Sequence, residues 1–244
     1  EVERSRRGKS TSAELISLLQ PLDVRRTPEC EYHRDGSCGG CPWMFVDYPT
    51  QLEQKQARLF KVLERINSNT AGCSMLGARE TLNYRNRAQF KSDGVKLGYV
   101  AQGTHEIVDV THCPVLNDVN QVHLRGLRQS LPNSDWRPSK NRQWTTIDID
   151  DQRATPLINE RQAFRQGNSE QNEQLRARLS SRLAKLSEPN TVFELFCGSG
   201  NLTEVISEQM DIPVIAIAGY EASLEALSIR NQSKVQPVRV NLFS

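Results

Sequence analysis

The stretch after residue 190 constrains the fold more than any other part of the sequence. It reads TVFELF, a glycine turn, LTEVISEQM, PVIAIAGYE, SLEALSIRN and PVRVNLF in succession. TVFELF, PVIAIAGYE and PVRVNLF are apolar, β-branched runs of strand length, and the two segments between them have helical composition. Strands separated by helices re-enter a sheet in the same direction, so this alternation predicts a parallel α/β sheet. Leucines at 175, 179, 183 and 186 predict an amphipathic helix just before it.

FELFCGSGN sets Gly198 and Gly200 between the first strand and its helix, where bare backbone can approach a ligand and helix amides face it. Glu221 follows Gly200 by 21 residues, at the end of the next strand, where a carboxylate can accept both hydroxyls of a ribose. An ordinary exposed strand-end acid is the plainer reading of Glu221. No third glycine completes G-x-G-x-x-G, which disfavours a dinucleotide and fits the S-adenosylmethionine loop of methyltransferases. The fold class expected is therefore α/β, with a partial Rossmann-like sheet of the methyltransferase kind.

Upstream, the text divides into a basic lead-in (1–28), a Cys/Gly-rich loop with a helix and a β-rich middle region (29–160), and the α/β part (161–244). YPTQLEQKQARLFKVLERI reads as a helix, with Leu52, Leu59, Leu63 and Ile66 on one face and capping-box spacing between Thr50 and Glu53. AQF, VKLGYV, HEIVDV and TTIDID read as strands, and the polar, two-proline stretch 131–143 as a loop. Apolar residues are 37% and charged residues 25%, with no apolar run near the roughly 18 residues of a membrane span. No membrane partner is expected, nor a secretory signal, so the cytoplasm is the expected compartment and a monomer the expected state.

Net charge is only +2, but its distribution is uneven. RSRRGK carries four cations in six positions, residues 77–96 carry five against two acids, and residues 125–142 five against one. Each run is equally well a solvated face. Cys30, Cys38 and Cys41 fall within twelve positions of a chain with six cysteines. In a reducing compartment such clustering points to metal or cluster ligation, not disulfides. Spacing alone leaves two options: an iron-sulfur cluster, or a tetrahedral zinc held by Cys38-x-x-Cys41 with His33 or His112. Cys73 has no partner pattern and reads as a small buried hydrophobe. Cys197, inside the glycine turn, reads as packing.

ELFCGSGNLT, FRQGN, NYRNRAQF, the HCP segment and CGGC followed by a QLEQK helix together resemble the iron-sulfur class of RNA uracil-5 methyltransferases. The best-known members of that class modify ribosomal RNA. The likeness follows the family's order from about residue 28 to 244. It implies a [4Fe-4S] cluster on Cys30, Cys38, Cys41 and Cys113, although the first gap is wider than the family's common spacing. It implies S-adenosylmethionine contacts from Gln166, Phe196, Asn201, Glu221 and Asn241, in addition to the Gly198 and Gly200 turn. Gln166 and Asn168 can equally cap the following helix, and Phe196 can be core. RNA, ribosomal RNA in particular, is the implied partner. Arg85, Arg87 and Lys91 would meet phosphates, with Tyr84 or Phe90 either stacking on a base or packed in the core.

The chemistry implied by the resemblance requires a cysteine thiolate. Uracil C5 is too weak a nucleophile to take a methyl group directly; thiolate addition at C6 makes C5 enolate-like, and a base later removes the C5 proton. In the family the nucleophile, the base and a D-P-P-R-like segment follow the third strand of the sheet. This sequence has no Asp-Pro dipeptide and no cysteine after Cys197, so no residue is assigned a catalytic role. Both ends read as cut: the sequence opens without Met inside a charged run and stops just after a strand-like segment. A piece of an RNA uracil-5 methyltransferase is expected, its front a remnant of a TRAM-like domain. The alternative is a non-catalytic iron-sulfur or zinc RNA-binding protein. A ferredoxin-like role is disfavoured because nothing offers an electron partner's site.

Overall fold

In the computed structural model the described residues are 2–7, 10–66, 74–160, 162–187, 189–229 and 233–242. Cys73 lies outside them. The chain divides into two compact units, the first formed by Glu1–Gly77 with Tyr99–Val108 and the second by Ala78–Gly98 with Asp109–Ser244.

In the first unit, the basic lead-in forms an antiparallel hairpin of β1 (Val2–Arg7) and β2 (Ser10–Leu15), pairing Val2 with Leu15. Cys30 precedes a single helical turn, α1 (Glu31–Arg34). The expected helix is α2 (Tyr48–Leu63), but its cap differs from the expectation. The side chain of Asp47 accepts the Thr50 N–H at 2.8 Å and Pro49 stands in the first turn, so Thr50 is the donor at this cap and not the capping residue. The apolar stripe is only partly covered: Leu52 and Leu63 are half-buried, whereas Leu59 and Ile66 are exposed.

The middle region supplies β3 (Arg87–Ser92), β4 (Leu97–Val100), β5 (Ile107–Asp109), helix α3 (Asp118–Gln129), β6 (Thr145–Asp150) and β7 (Leu157–Ile158). The sheet order is β5-β4-β3-β6-β7, and β3 pairs antiparallel with both β4 and β6. Alternation sorts the residues of β3 and β6 by face: Ala88, Phe90, Ile147 and Ile149 are buried, as are Leu116 and Leu124. Phe90 is fully buried, which resolves its two readings in favour of the core. The stretch 131–143 is not featureless. It contains a short 3-10 turn, Ser134–Trp136, begun by Asn133 and seating Trp136 in the core.

The α/β part consists of α4 (Ser169–Leu183), β8 (Val192–Leu195), α5 (Thr203–Gln209), β9 (Val214–Ala218), α6 (Glu221–Ile229) and β10 (Val235–Arg239). The three strands are parallel in the order β10-β9-β8, with Val192 and Val235 both beside Val214. Consecutive strands are neighbours joined through helices, the crossover arrangement the alternation predicted. Leu179 and Leu183 of α4 pack with Val205, Ile206 and Val214, but Leu175 and Leu186 are exposed, so half of the expected leucine stripe is core. Cys197, Ala216, Ala218, Leu224 and Leu227 form a second cluster. On β8, Phe193 and Leu195 share one face and are exposed.

Candidate functional site

In an open parallel sheet, ligands bind beyond the carboxyl ends of the strands. Here those ends carry Phe196 to Asn201 after β8, Glu221 after β9 and Asn241 after β10. Gly198 and Gly200 have φ of +58° and +93°, conformations that tax a side chain. At Gly200 space forbids one as well, since a Cβ would lie 2.5 Å from Leu227 Cδ1. Phe196 has no such exemption yet sits at φ +60°, and the residue is 59% exposed. A bulky residue held left-handed costs about 1–2 kcal/mol. With so much of its surface in water it is not core, and such outliers concentrate at functional sites.

The turn is anchored from below. Thr203, fully buried, donates its hydroxyl to Glu194 Oε2 at 2.5 Å. Burial raises the Glu194 carboxyl above its usual range, against the pull of that hydrogen bond. Burial and the neighbouring Glu194 push the Cys197 thiol up to about 11. Cys197 is thus a thiol at neutral pH, buried at 6% exposure, and fits the packing role read from the sequence.

The turn is also gripped from the side by α4. Asn172 Nδ2 donates to Asn201 Oδ1 at 2.9 Å, and Asn201 Nδ2 returns a bond to Asn172 Oδ1 at 2.7 Å. One turn on, Arg176 donates to the Asn201 carbonyl and to Glu204 Oε2, the latter at 3.1 Å. At the start of the same helix Asn168 is the N-cap, accepting the Gln171 N–H at 3.0 Å, so its capping reading is the one observed. Gln166 does not cap; its carbonyl accepts from Asn86 Nδ2 at 2.9 Å. Glu221 opens α6 and pairs with Arg239 at 2.7 Å, both side chains largely in solvent. Such a pair is worth about 0–1 kcal/mol and yields readily to a ligand. Nothing in the sequence marks Arg239 as part of this site.

The segment bearing Gln166 is tied to the larger sheet by charge. Arg165 meets Asp150 at 2.6 Å and Asp151 at 3.0 Å. Arg87 meets both oxygens of the buried Asp148 at 2.8 and 2.9 Å and donates to the Ala163 carbonyl. Hydrogen bonding to Asp148 raises the Arg87 pKa further. The charge of Arg87 is therefore matched inside the protein, unlike the phosphate-facing posture expected. Lys91 is half-buried, bonded to Gln89 Oε1 and Thr146 Oγ1, and lies 5.7 Å from the Trp144 ring centroid; burial lowers its pKa. Arg85 is exposed and its Nε bonds only the Arg87 carbonyl.

Of the cluster candidates, Cys30, Cys38 and Cys41 belong to the first unit, and Cys113 is buried in the second. Burial raises the Cys38 thiol, a bond from the Gly40 amide opposes this, and Cys30 is near enough to raise it again. A Cβ on Gly40 would lie 3.5 Å from Cys38 Sγ. An amide aimed at a sulfur and two thiols in one neighbourhood suit a thiolate-ligated centre. His33, a zinc alternative, has a buried Nδ1 with no hydrogen-bond partner, and His112 is exposed. Among the described residues, however, no three His, Cys, Asp or Glu side chains converge as a metal site. No helix of the described residues is long and apolar enough to cross a membrane.

Comparison with known proteins adds a sequence and a fold relationship. The chain is 40% identical over 233 residues to a Nitrosomonas europaea protein named as an uncharacterized RNA methyltransferase, a match covering 93% of this chain and 58% of that protein. It is 32% identical over 131 residues to a 23S rRNA (uracil(1939)-C(5))-methyltransferase of Halomonas elongata, covering 52% and 27% of the two. A Pyrococcus furiosus 23S rRNA (uracil(747)-C(5))-methyltransferase matches at 29% over 137 residues, covering 55% of this chain and 31% of that protein. No family model matches. Among solved structures, Pyrococcus abyssi tRNA (uracil-54, C5)-methyltransferase in complex with S-adenosyl-L-homocysteine superposes with a TM-score of 0.64 at 14% identity, covering 98% of this chain and 71% of that one. The mixed α/β fold thus resembles that of the Pyrococcus abyssi protein. The chain spans little more than half the length of the Nitrosomonas relative.

Proposed function

We propose that this chain, a homologue of the RNA (uracil-C5) methyltransferases, holds S-adenosylmethionine for methylation of uridine C5 in RNA, ribosomal RNA first among candidates. The observation that carries this reading is the turn after β8. Gly198 and Gly200 bring bare backbone to the strand ends, Phe196 is held there exposed in a strained conformation, and Glu221 stands at the next strand end. The cofactor supplies an electrophilic methyl group on sulfur. The chain's own residues orient it: Glu221 takes the ribose hydroxyls on displacing Arg239, Phe196 offers a ring to the adenine or ribose, and Asn241 and Gln166 flank the site.

Bond making at uracil is a separate task. It needs a thiolate for C6, and Cys197, buried with its pKa near 11, does not offer one. The 244 residues alone are therefore expected to bind the cofactor without methylating uridine. We further propose that Cys30, Cys38, Cys41 and Cys113 carry a structural [4Fe-4S] cluster, supported by the thiol neighbourhood and the Gly40 amide; protein purified without oxygen should be brown. One zinc per chain in colourless protein would favour the rival centre. Arg85 is the cation proposed to meet RNA phosphate.

Titration calorimetry with S-adenosylhomocysteine tests the reading. Binding at one site per chain, weakened at least tenfold by Glu221→Ala, is expected. An affinity unmoved by that change, or no binding in folded protein, would contradict it.

A further inference from the structure

Along α4 and its N-cap, residues 168, 172, 176 and 180 recur every four positions and so share one face. All four are polar and all are engaged. Asn168 caps the helix, Asn172 and Arg176 hold Asn201 and Glu204, and Ser180 bonds Gln209 Oε1 at 2.6 Å. The grip is densest at Asn201. Both polar atoms of its amide are used by Asn172, at 2.7 and 2.9 Å, and its carbonyl is taken by Arg176. A reciprocal amide pair uses one donor and one acceptor site of each side chain and so fixes both side chains in one orientation.

We infer that Asn172 and Arg176 are positioning residues for the cofactor turn, holding it through the side chain and carbonyl of Asn201. This rests on the proposed cofactor site but deepens it. The segment bearing Gln166 runs directly into α4, and α4 grips the turn bearing Phe196, Gly198 and Gly200. Two pieces of the cofactor site separated by about thirty residues are thereby set in register by three side chains.

Hydrogen exchange of the ligand-free chain tests the clamp without the cofactor. Asn172→Ala should speed amide exchange over residues 197–203 by about tenfold, as expected when local opening of a segment becomes easier. Ser180→Ala, which removes a bond from the same helix face to the far end of α5, should leave the turn at the wild-type rate. Unchanged exchange in Asn172→Ala, or equal acceleration in Ser180→Ala, overturns the inference. Calorimetry with S-adenosylhomocysteine then measures the coupling. In a cycle of Asn172→Ala, Asn201→Ala and the double variant, the clamp predicts a loss for the pair well below the sum of the two single losses. Losses that add would show that Asn172 does not act through Asn201 and overturn the inference. Should wild-type protein not bind the cofactor product at all, the proposed function falls while the exchange result still decides the clamp.

Discussion

Burial sets what Glu194 and Cys197 do. Glu194 lies under the turn with its pKa raised by desolvation, so the folded state holds its proton more tightly than the unfolded chain. Its favourable contribution is complete below the ordinary value of 4.5 and is lost as pH rises through the raised folded value. Glu194→Gln keeps an acceptor for Thr203 and removes the buried charge. The variant should melt higher than wild type at pH 7, and the difference should shrink as pH falls below about 4.5. A difference that grows in acid would show that the cause is not desolvation. Cys197 obeys the same physics with the opposite chemical consequence, since a thiol that titrates near 11 is a poor nucleophile at neutral pH. At pH 8 iodoacetamide should spare Cys197 in native protein and modify it in urea; rapid native labelling mapped to that residue would contradict its packing role.

The ion pair between β3 and β6 shows how an element's charge is decided elsewhere in the chain. Arg87 and Asp148 are 61 positions apart, and the Asp148 side chain is 1% exposed. Removing one partner of such a pair strands a charge, at about 3–5 kcal/mol, whereas replacing both with apolar groups is often near neutral. Arg87→Met should destabilise the protein by that order, and Arg87→Met with Asp148→Leu should recover most of the loss; chemical denaturation checks both. The same pair explains part of what the sequence could not show. Period and breakers marked the strands β3, β6, β8, β9 and β10, because strand faces are written in neighbouring residues. Nothing near Arg87 says that Asp148 lies across the sheet, so one cation of a run that reads as free is internally matched. The cap of α2 differs for a smaller reason: Asp47 before Tyr48-Pro49 is itself a cap signal, overshadowed by the Thr50 and Glu53 spacing. Along α4 and its N-cap the leucines mark the apolar face, while the polar residues 168, 172, 176 and 180 carry the cap and the side-chain contacts to the turn and α5, a stripe legible in the sequence once polar spacing is read like apolar spacing.

At the scale of the whole molecule, the two proposed ligands call on different groups. RNA would be met by exposed charge, with Arg85 the clearest case, whereas the cofactor would be met by strand ends and the turn. Affinity for single-stranded, uridine-containing RNA should therefore fall steeply with salt, and Arg85→Ala should weaken it and lower the salt slope by roughly one. The same change should leave cofactor affinity nearly unaltered; an RNA affinity indifferent to salt and to Arg85→Ala would remove RNA from the reading. The most direct test of the central claim is to ask where the cofactor touches the chain. Irradiation of the 244-residue protein with labelled S-adenosylmethionine, followed by peptide mapping, should place the label on peptides containing Phe196 or Glu221, competed away by S-adenosylhomocysteine. Label confined to residues 1–77, or label that S-adenosylhomocysteine does not displace, would contradict a cofactor site at the ends of β8 and β9.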